Sequence, residues 1–309
     1  MLQLRHRLAL TSASGALLLC LAAVPSSQSA DIKQTERLTY AAMLGGLHLA
    51  DLKVTIDESE AGYTSDVEVV SRGVVRWVQD FRATISGTGG FISLLLPDGS
   101  KALQPLPEIF QSKWTGGEFA SAITMTFDSK TRESKVSKRL YNPLTNEALS
   151  RDDMPWSRYE RREKRKPVPE IFRRDAFDPM AAFIAARRQI MAQKDTKEPS
   201  KTFRVPIYDG QKRYDIFGKT GQLRNTSING KEMTVVPVSI TLEPVFGFNT
   251  RSLERINDVD SRLYFSADGR FIPIQLTMTS DIFAVVINLQ NDCYINALAC
   301  VNFGQEPSP

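Results

Sequence analysis

Apolar and polar residues alternate along most of the chain. Leu52, Val54 and Ile56 alternate with Lys53, Thr55 and Asp57, and Tyr63, Ser65, Val67 and Val69 alternate with Thr64, Asp66 and Glu68. A period of two predicts strands with one buried and one wet face. Gly62 punctuates the turn between these two strands. Residues 119–127 repeat the pattern, with Phe119, Ile123, Met125 and Phe127 on one side. In the C-terminal third, residues 202–208 and 212–217 flank Asp209-Gly210, and residues 263–265 and 271–278 flank Asp268-Gly269. Both Asp-Gly pairs predict hairpin turns, because Asp and Gly tolerate positive φ. Residues 233–242 and 282–289 are further apolar runs, and Gly87-Thr88-Gly89-Gly90 predicts another turn.

The period changes in two places. Val74, Val75, Trp77, Val78 and Phe81 are spaced for a brief helix. Met180, Phe183, Ile184 and Ile190 predict a longer one over residues 178–191. Asp178 suits its N-cap and Pro179 its first position. Arg187, Arg188 and Lys194 crowd its C-terminal end, where the helix dipole favours positive charge. Its apolar side is expected to pack on the concave face of a sheet. The predicted fold is mainly β: a curved antiparallel sheet or incomplete β-barrel with one central helix and a long basic excursion.

The N-terminus reads differently. Arg5 and Arg7 precede an apolar stretch over residues 15–24, followed by Ser26, Ser27, Ser29 and Ala30. This is the pattern of an export signal, too short to span ~30 Å of hydrocarbon as a helix. Residues 1–30 are therefore expected to be a signal peptide, and residues 31–309 a single β-rich domain in the periplasm. No later segment approaches ~18 consecutive apolar residues, so no membrane-spanning helix is expected in the mature chain. Cys20 leaves with the signal. Cys293 and Cys300 remain, and in an oxidising compartment they are expected to form a disulfide rather than a metal site.

Composition narrows the function. With 42% hydrophobic and 24% charged residues in 309, the chain has the material for a packed core. A net charge of +4 is too balanced for a dedicated nucleic-acid binder. The charge is uneven, however. Residues 130–175 hold 14 basic and 8 acidic residues and several Pro, which predicts an excursion or linker. Within it Arg158, Arg161, Arg162, Lys164, Arg165 and Lys166 face only Glu160 and Glu163 in sequence. That run is either a solvated connector or a contact for anionic lipid or another envelope polymer.

Catalytic chemistry is poorly supplied. After cleavage His48 is the remaining histidine, in Gly45-Gly46-Leu47-His48-Leu49, and a Ser or Cys nucleophile needs an oriented base. There is no Gly-x-Ser-x-Gly elbow, no His-Glu-x-x-His and no dinucleotide or phosphate loop. No catalytic residue, metal or cofactor is assigned. A carboxylate pair distant in sequence stays open, because Asp and Glu are plentiful.

The order of several short pieces resembles the bacterial periplasmic proteins grouped as domain-of-unknown-function family 3108. They are Leu38-Thr39-Tyr40 with Gly45-Gly46-Leu47-His48-Leu49-Ala50, and Asp178-Pro179-Met180-Ala181-Ala182. Tyr208-Asp209-Gly210 with Arg213-Tyr214, and Ser266-Ala267-Asp268-Gly269-Arg270-Phe271-Ile272-Pro273, complete the set. The resemblance implies a curved or barrel-like antiparallel sheet with helical insertions and brings no catalytic residues. Curved sheets commonly enclose a ligand cavity. The expectation is thus a non-enzymatic protein that binds an apolar or amphipathic envelope component or supports envelope integrity. The alternative is a carboxylate-based hydrolase acting on an envelope polymer. A dry apolar concavity would favour the first, a buried carboxylate pair in a cleft the second.

Overall fold

The computed structural model describes residues 34–73, 76, 80–95, 101–117, 119–149, 166–192, 201–281, 283–294 and 301–302. In chain order the strands are β1 (Gln34–Leu44), β2 (Leu47–Glu58), β3 (Tyr63–Ser71), β4 (Phe81–Leu95), β5 (Lys101–Gly116), β6 (Phe119–Phe127) and β7 (Ser134–Tyr141). Two helices follow, α1 (Glu170–Arg173) and α2 (Pro179–Ala192). The chain then returns to strands: β8 (Lys201–Tyr208), β9 (Arg213–Thr220), β10 (Arg224–Ile228) and β11 (Lys231–Phe246). Helix α3 (Thr250–Asn257) leads into β12 (Asp260–Ser266), β13 (Pro273–Thr279), β14 (Ala284–Tyr294) and β15 (Val301–Asn302).

All fifteen strands join one antiparallel sheet in the order β7-β6-β5-β4-β3-β2-β1-β14-β13-β12-β11-β9-β8, with β10 on β11 and β15 on β14. The sheet is mainly meander, except that β1 pairs with β14 and so joins the two halves. It does not close by strand pairing: β7 and β8 are its edges. It curls until those edges approach. A Cβ on Gly210, in the β8–β9 turn, would stand 2.7 Å from Ile123 Cγ2 of β6, which is why φ +84° there falls on a glycine. The segment before α2 spans the seam. Asp175 N donates to Arg132 O (3.2 Å) beside β7, while Phe177 N donates to Pro206 O (2.9 Å) and Phe177 O accepts from Tyr208 N (2.8 Å) on β8.

Helix α2 begins where the sequence predicts. Asp178 Oδ1 accepts from Met180 N (2.7 Å) and Ala181 N (3.0 Å), satisfying two of the donors every helix start leaves unpaired. The helix lies within the curl, packed on β8 on one flank and β4–β5 on the other. Met180, Ala181, Ala182, Ile184, Ala185 and Ile190 are buried, and Phe183 is half-buried. A Cβ on Gly87 would lie 2.8 Å from Met180 Cβ, so the missing side chain is what lets the helix sit this close. The Gly87–Gly90 run is consequently not a turn. It lies inside β4, whose register against β5 slips between Thr88 and Gly89.

Three other expectations are corrected or bounded. Part of the basic excursion is sheet, since residues 134–141 form β7. Arg187 and Arg188 do not fall in the last turn of α2, and Arg187 is buried. Of the brief helix expected over residues 74–81, Phe81 opens β4 and residues 74–75 and 77–79 lie outside the described residues. The signal peptide and five residues of the basic run (Arg158, Arg161, Arg162, Lys164 and Arg165) also lie outside them. Lys166 is described and exposed. Among the described residues no helix is long and apolar enough to cross a membrane.

Candidate functional site: an apolar cavity beside the central helix

Because α2 packs on β8, β4 and β5, its opposite flank leaves space against β1–β3 and β12–β14. That space is a cavity of about 300 Å³ lined by Leu38, Tyr40, Leu52, Val54, Val67, Met180, Phe183, Leu263, Pro273, Gln275, Leu276 and Ile287. The lining comes from seven elements, and its two polar side chains are both engaged. Tyr40 Oη donates to Pro273 O (2.9 Å), and Gln275 Nε2 donates to Asn288 Oδ1 (2.7 Å). Burial, reinforced by the Glu36 charge, pushes the Tyr40 hydroxyl far above its ordinary range, so it stays a neutral donor. What remains is an apolar surface at the small end of the roughly 300–1,000 Å³ typical of ligand sites.

A buried ion pair lies farther along α2. Arg187 makes a two-pronged pair with Glu36, Nη1 to Oε2 at 2.7 Å and Nη2 to Oε1 at 2.6 Å, and Nε donates to Arg270 O at 2.9 Å. Burial alone would lower the Arg187 pKa, but the hydrogen bonds and charge of Glu36 more than offset this and raise it. Arg270 in turn pairs with Asp292 (2.7 Å) and Asp268 (2.8 Å), and Arg188 with Glu58 (2.6 Å). Arg187 was legible as an anomaly: it continues the stripe of Met180 and Ile184 at helical spacing, and a charge on an apolar stripe needs a buried partner. Its partner, Glu36, sits 151 positions away and carries no local signal.

Three carboxylates border a concavity, and two of them are engaged by neighbouring side chains. Asp57, Glu58 and Glu108 border a polar depression at the β2–β3 turn. Glu58 is held by Arg188, and Asp57 accepts from Thr35 Oγ1. His48 is exposed on β2 and lies 2.8 Å from Asp51 Oδ1, whose other oxygen binds Arg72 at 2.6 Å. Among the described residues no three His, Cys, Asp or Glu converge to hold a metal ion. Asp178 is the perturbed acid of the interior. Burial pushes its carboxyl up to about 6 despite two backbone hydrogen bonds, and its Oδ2 has no partner. Cys293 lies on β14 opposite Arg37 of β1, and Cys300 falls outside the described residues.

The architecture has a counterpart. A crystal structure of a beta-barrel-like protein of domain of unknown function DUF1849 from Brucella abortus aligns with a TM-score of 0.51 at 12% identity, covering 85% of this chain and 99% of that one. At that identity the likeness is one of fold. No curated protein matches the chain. The family described as "Protein of unknown function (DUF3108)" matches residues 111–289, from β5 through the seam, α2 and the cavity-lining strands β12 and β13 into β14, so the chain belongs to the DUF3108 family.

Proposed function

We propose that this is an exported, non-enzymatic periplasmic protein that holds the apolar part of an envelope amphiphile, such as an acyl chain, between α2 and the sheet. The observation that carries the reading is the cavity itself: about 300 Å³, apolar, with its two polar groups already hydrogen-bonded. Such a surface gains from taking up hydrocarbon, about 0.8 kcal/mol for each buried methylene, and offers a polar substrate nothing to bind. The hydrolase alternative needs two carboxylates free to exchange protons, and of Asp57, Glu58 and Glu108 at the polar depression the first two are engaged. Export rests on Arg5, Arg7 and the apolar residues 15–24, and an anionic envelope surface on the basic run.

Native mass spectrometry of protein purified from its own periplasm tests the reading. The expected result is a mature chain starting near Ala30 that carries a retained amphiphile. Val54→Phe, which fills the cavity, is expected to lose it while remaining folded. Retention by Val54→Phe equal to wild type would overturn the assignment of the site.

A further inference from the structure

Along three of the strands that line the cavity, β2, β12 and β14, inward positions are buried at the Arg187 end and half-exposed at the other, while on β1 Leu38, Tyr40 and Ala42 are all buried. On β2 the series runs from Ile56 (buried) through Val54 and Leu52 to Ala50, all half-exposed. On β14 Leu289 is buried, and Ile287 and Val285 are half-exposed. On β12 Phe265 is buried, and Leu263 and Ser261 are half-exposed. Three strands with the same gradient place the mouth of the interior at the end opposite the Arg187–Glu36 pair, where the β1–β2 turn, the β13–β14 turn and the start of β12, just after α3, lie. These three are neighbours: Gly45 N donates to Ala284 O (3.3 Å), and Asp260 just after α3 pairs with Thr279 just before the β13–β14 turn.

Each presents a large apolar side chain to solvent: Leu47 at 60% exposure in the first, Phe283 at 37% in the second and, on α3 just before the third, Leu253 at 39%. Asn249 caps α3, Oδ1 accepting from Ser252 N (2.9 Å), and Leu253 is exposed in its middle. Single exposed apolar residues on separate elements at the open end of an apolar interior suit insertion into an acyl layer better than packing as one flat patch on a protein.

We infer that Leu47, Leu253 and Phe283 form a membrane-contacting rim through which the cavity loads its ligand directly from a lipid surface. The inference rests on the proposed cavity function and adds the source: a bilayer lipid whose acyl chain passes from one apolar environment to another without crossing water. A route of this kind removes the exposed-hydrocarbon step that otherwise limits transfer.

The test uses the full mature chain and two probes. The first is an acyl-labelled phospholipid in phosphatidylcholine vesicles, whose neutrality leaves the basic run's attraction out of the measurement. The second is a short-chain fluorescent fatty acid, soluble as monomer. The triple variant Leu47→Ser, Leu253→Ser, Phe283→Ser is expected to slow uptake from vesicles about tenfold or more while binding the soluble probe within about twofold of wild type. Val54→Phe is expected to lose both. Uptake from vesicles by the triple variant at the wild-type rate would overturn the rim. So would a wild-type dimer that the triple variant converts to a monomer without slowing uptake, since the residues would then be a self-association face. Failure of wild type to bind the soluble probe would instead sink the cavity reading and the rim with it.

Discussion

Asp178 ties the start of α2 to a pH dependence whose sign is unusual for a carboxylate. Its side chain is fully buried, and desolvation outweighs the hydrogen bonds from Met180 N and Ala181 N, lifting its pKa from 3.8 to about 6. In the unfolded chain the group ionises near its ordinary value, so between about pH 4 and pH 6 the folded state binds the proton more tightly. The stabilisation associated with the neutral acid is therefore complete below about pH 4 and is lost as pH rises through 6. A shift of about two units corresponds to roughly 3 kcal/mol at 1.36 kcal/mol per unit. Asp178→Asn keeps the capping acceptor and abolishes the titration, but replaces the neutral acid's single O–H at the partnerless Oδ2 with an amide that brings a second donor there, at a cost of about 1–3 kcal/mol. The two stability curves should therefore cross. Urea unfolding followed by far-UV circular dichroism is expected to find the Asn variant about 1 kcal/mol or more less stable at pH 4, and equal to or more stable than wild type at pH 8. The difference between the two proteins cancels every other titrating group. Curves that run parallel from pH 4 to pH 8 would refute the buried, destabilised carboxylate.

Arg187→Met strands Glu36 in the interior and should cost about 3–5 kcal/mol in urea unfolding, with part recovered in the Glu36→Gln, Arg187→Met double variant; additive single effects would mean the pair is not coupled. Gly87→Ala forces a methyl against Met180 Cβ and should cost about 1–3 kcal/mol by thermal unfolding, whereas a neutral outcome would mean the helix moves freely off β4. Cys293 and Cys300 should be blocked to thiol reagents in oxidised periplasmic protein, and reduction should lower stability by roughly 2.5 kcal/mol in the chain-entropy account; two reactive thiols would exclude the bridge.

The strands that the sequence makes legible are those whose apolar residues keep the period of two, as on β3, where Thr64, Asp66 and Glu68 are exposed between buried or half-buried neighbours. β6 matches the alternating run 119–127 end to end, and α2 begins at the Asp178-Pro179 signal. The strands it hides break the period for physical reasons. β7 is an edge, and exposed Lys135, Lys138 and Arg139 blunt it against stray pairing, so its composition imitates a solvated linker. β5 carries Pro105 and Pro107, which argue against a central strand. In fact only residues 109–116 of β5 pair on both sides, and both prolines fall where it pairs with β4 alone. The cavity was illegible because its lining is drawn from seven elements, each contributing ordinary apolar residues that alternation assigns to core. What distinguishes them is that no side chain of α2 reaches across to fill the space, a fact of helix placement rather than of any motif.

That placement is where the buried ion pair earns a role beyond stability. Replacing a buried pair by apolar side chains is often neutral or stabilising, so Arg187 and Glu36 are poorly explained as glue. They do fix where the helix stands. A slide of α2 by one turn, about 5.4 Å, would leave a charged guanidinium and a carboxylate each unpaired in the interior, so the helix has one depth at which its charges are satisfied. At that depth Met180 and Phe183 form one wall of the cavity without occupying it, while Arg187 lies buried one turn farther along the helix. A helix held by apolar packing alone would gain by sliding or tilting into the empty volume, since unfilled apolar space forgoes dispersion contacts. The ion pair opposes that collapse. On this argument the Glu36→Gln, Arg187→Met protein should fold yet bind the soluble fatty-acid probe more weakly than wild type. Undiminished binding by a folded double variant would show that the ion pair does not set the cavity.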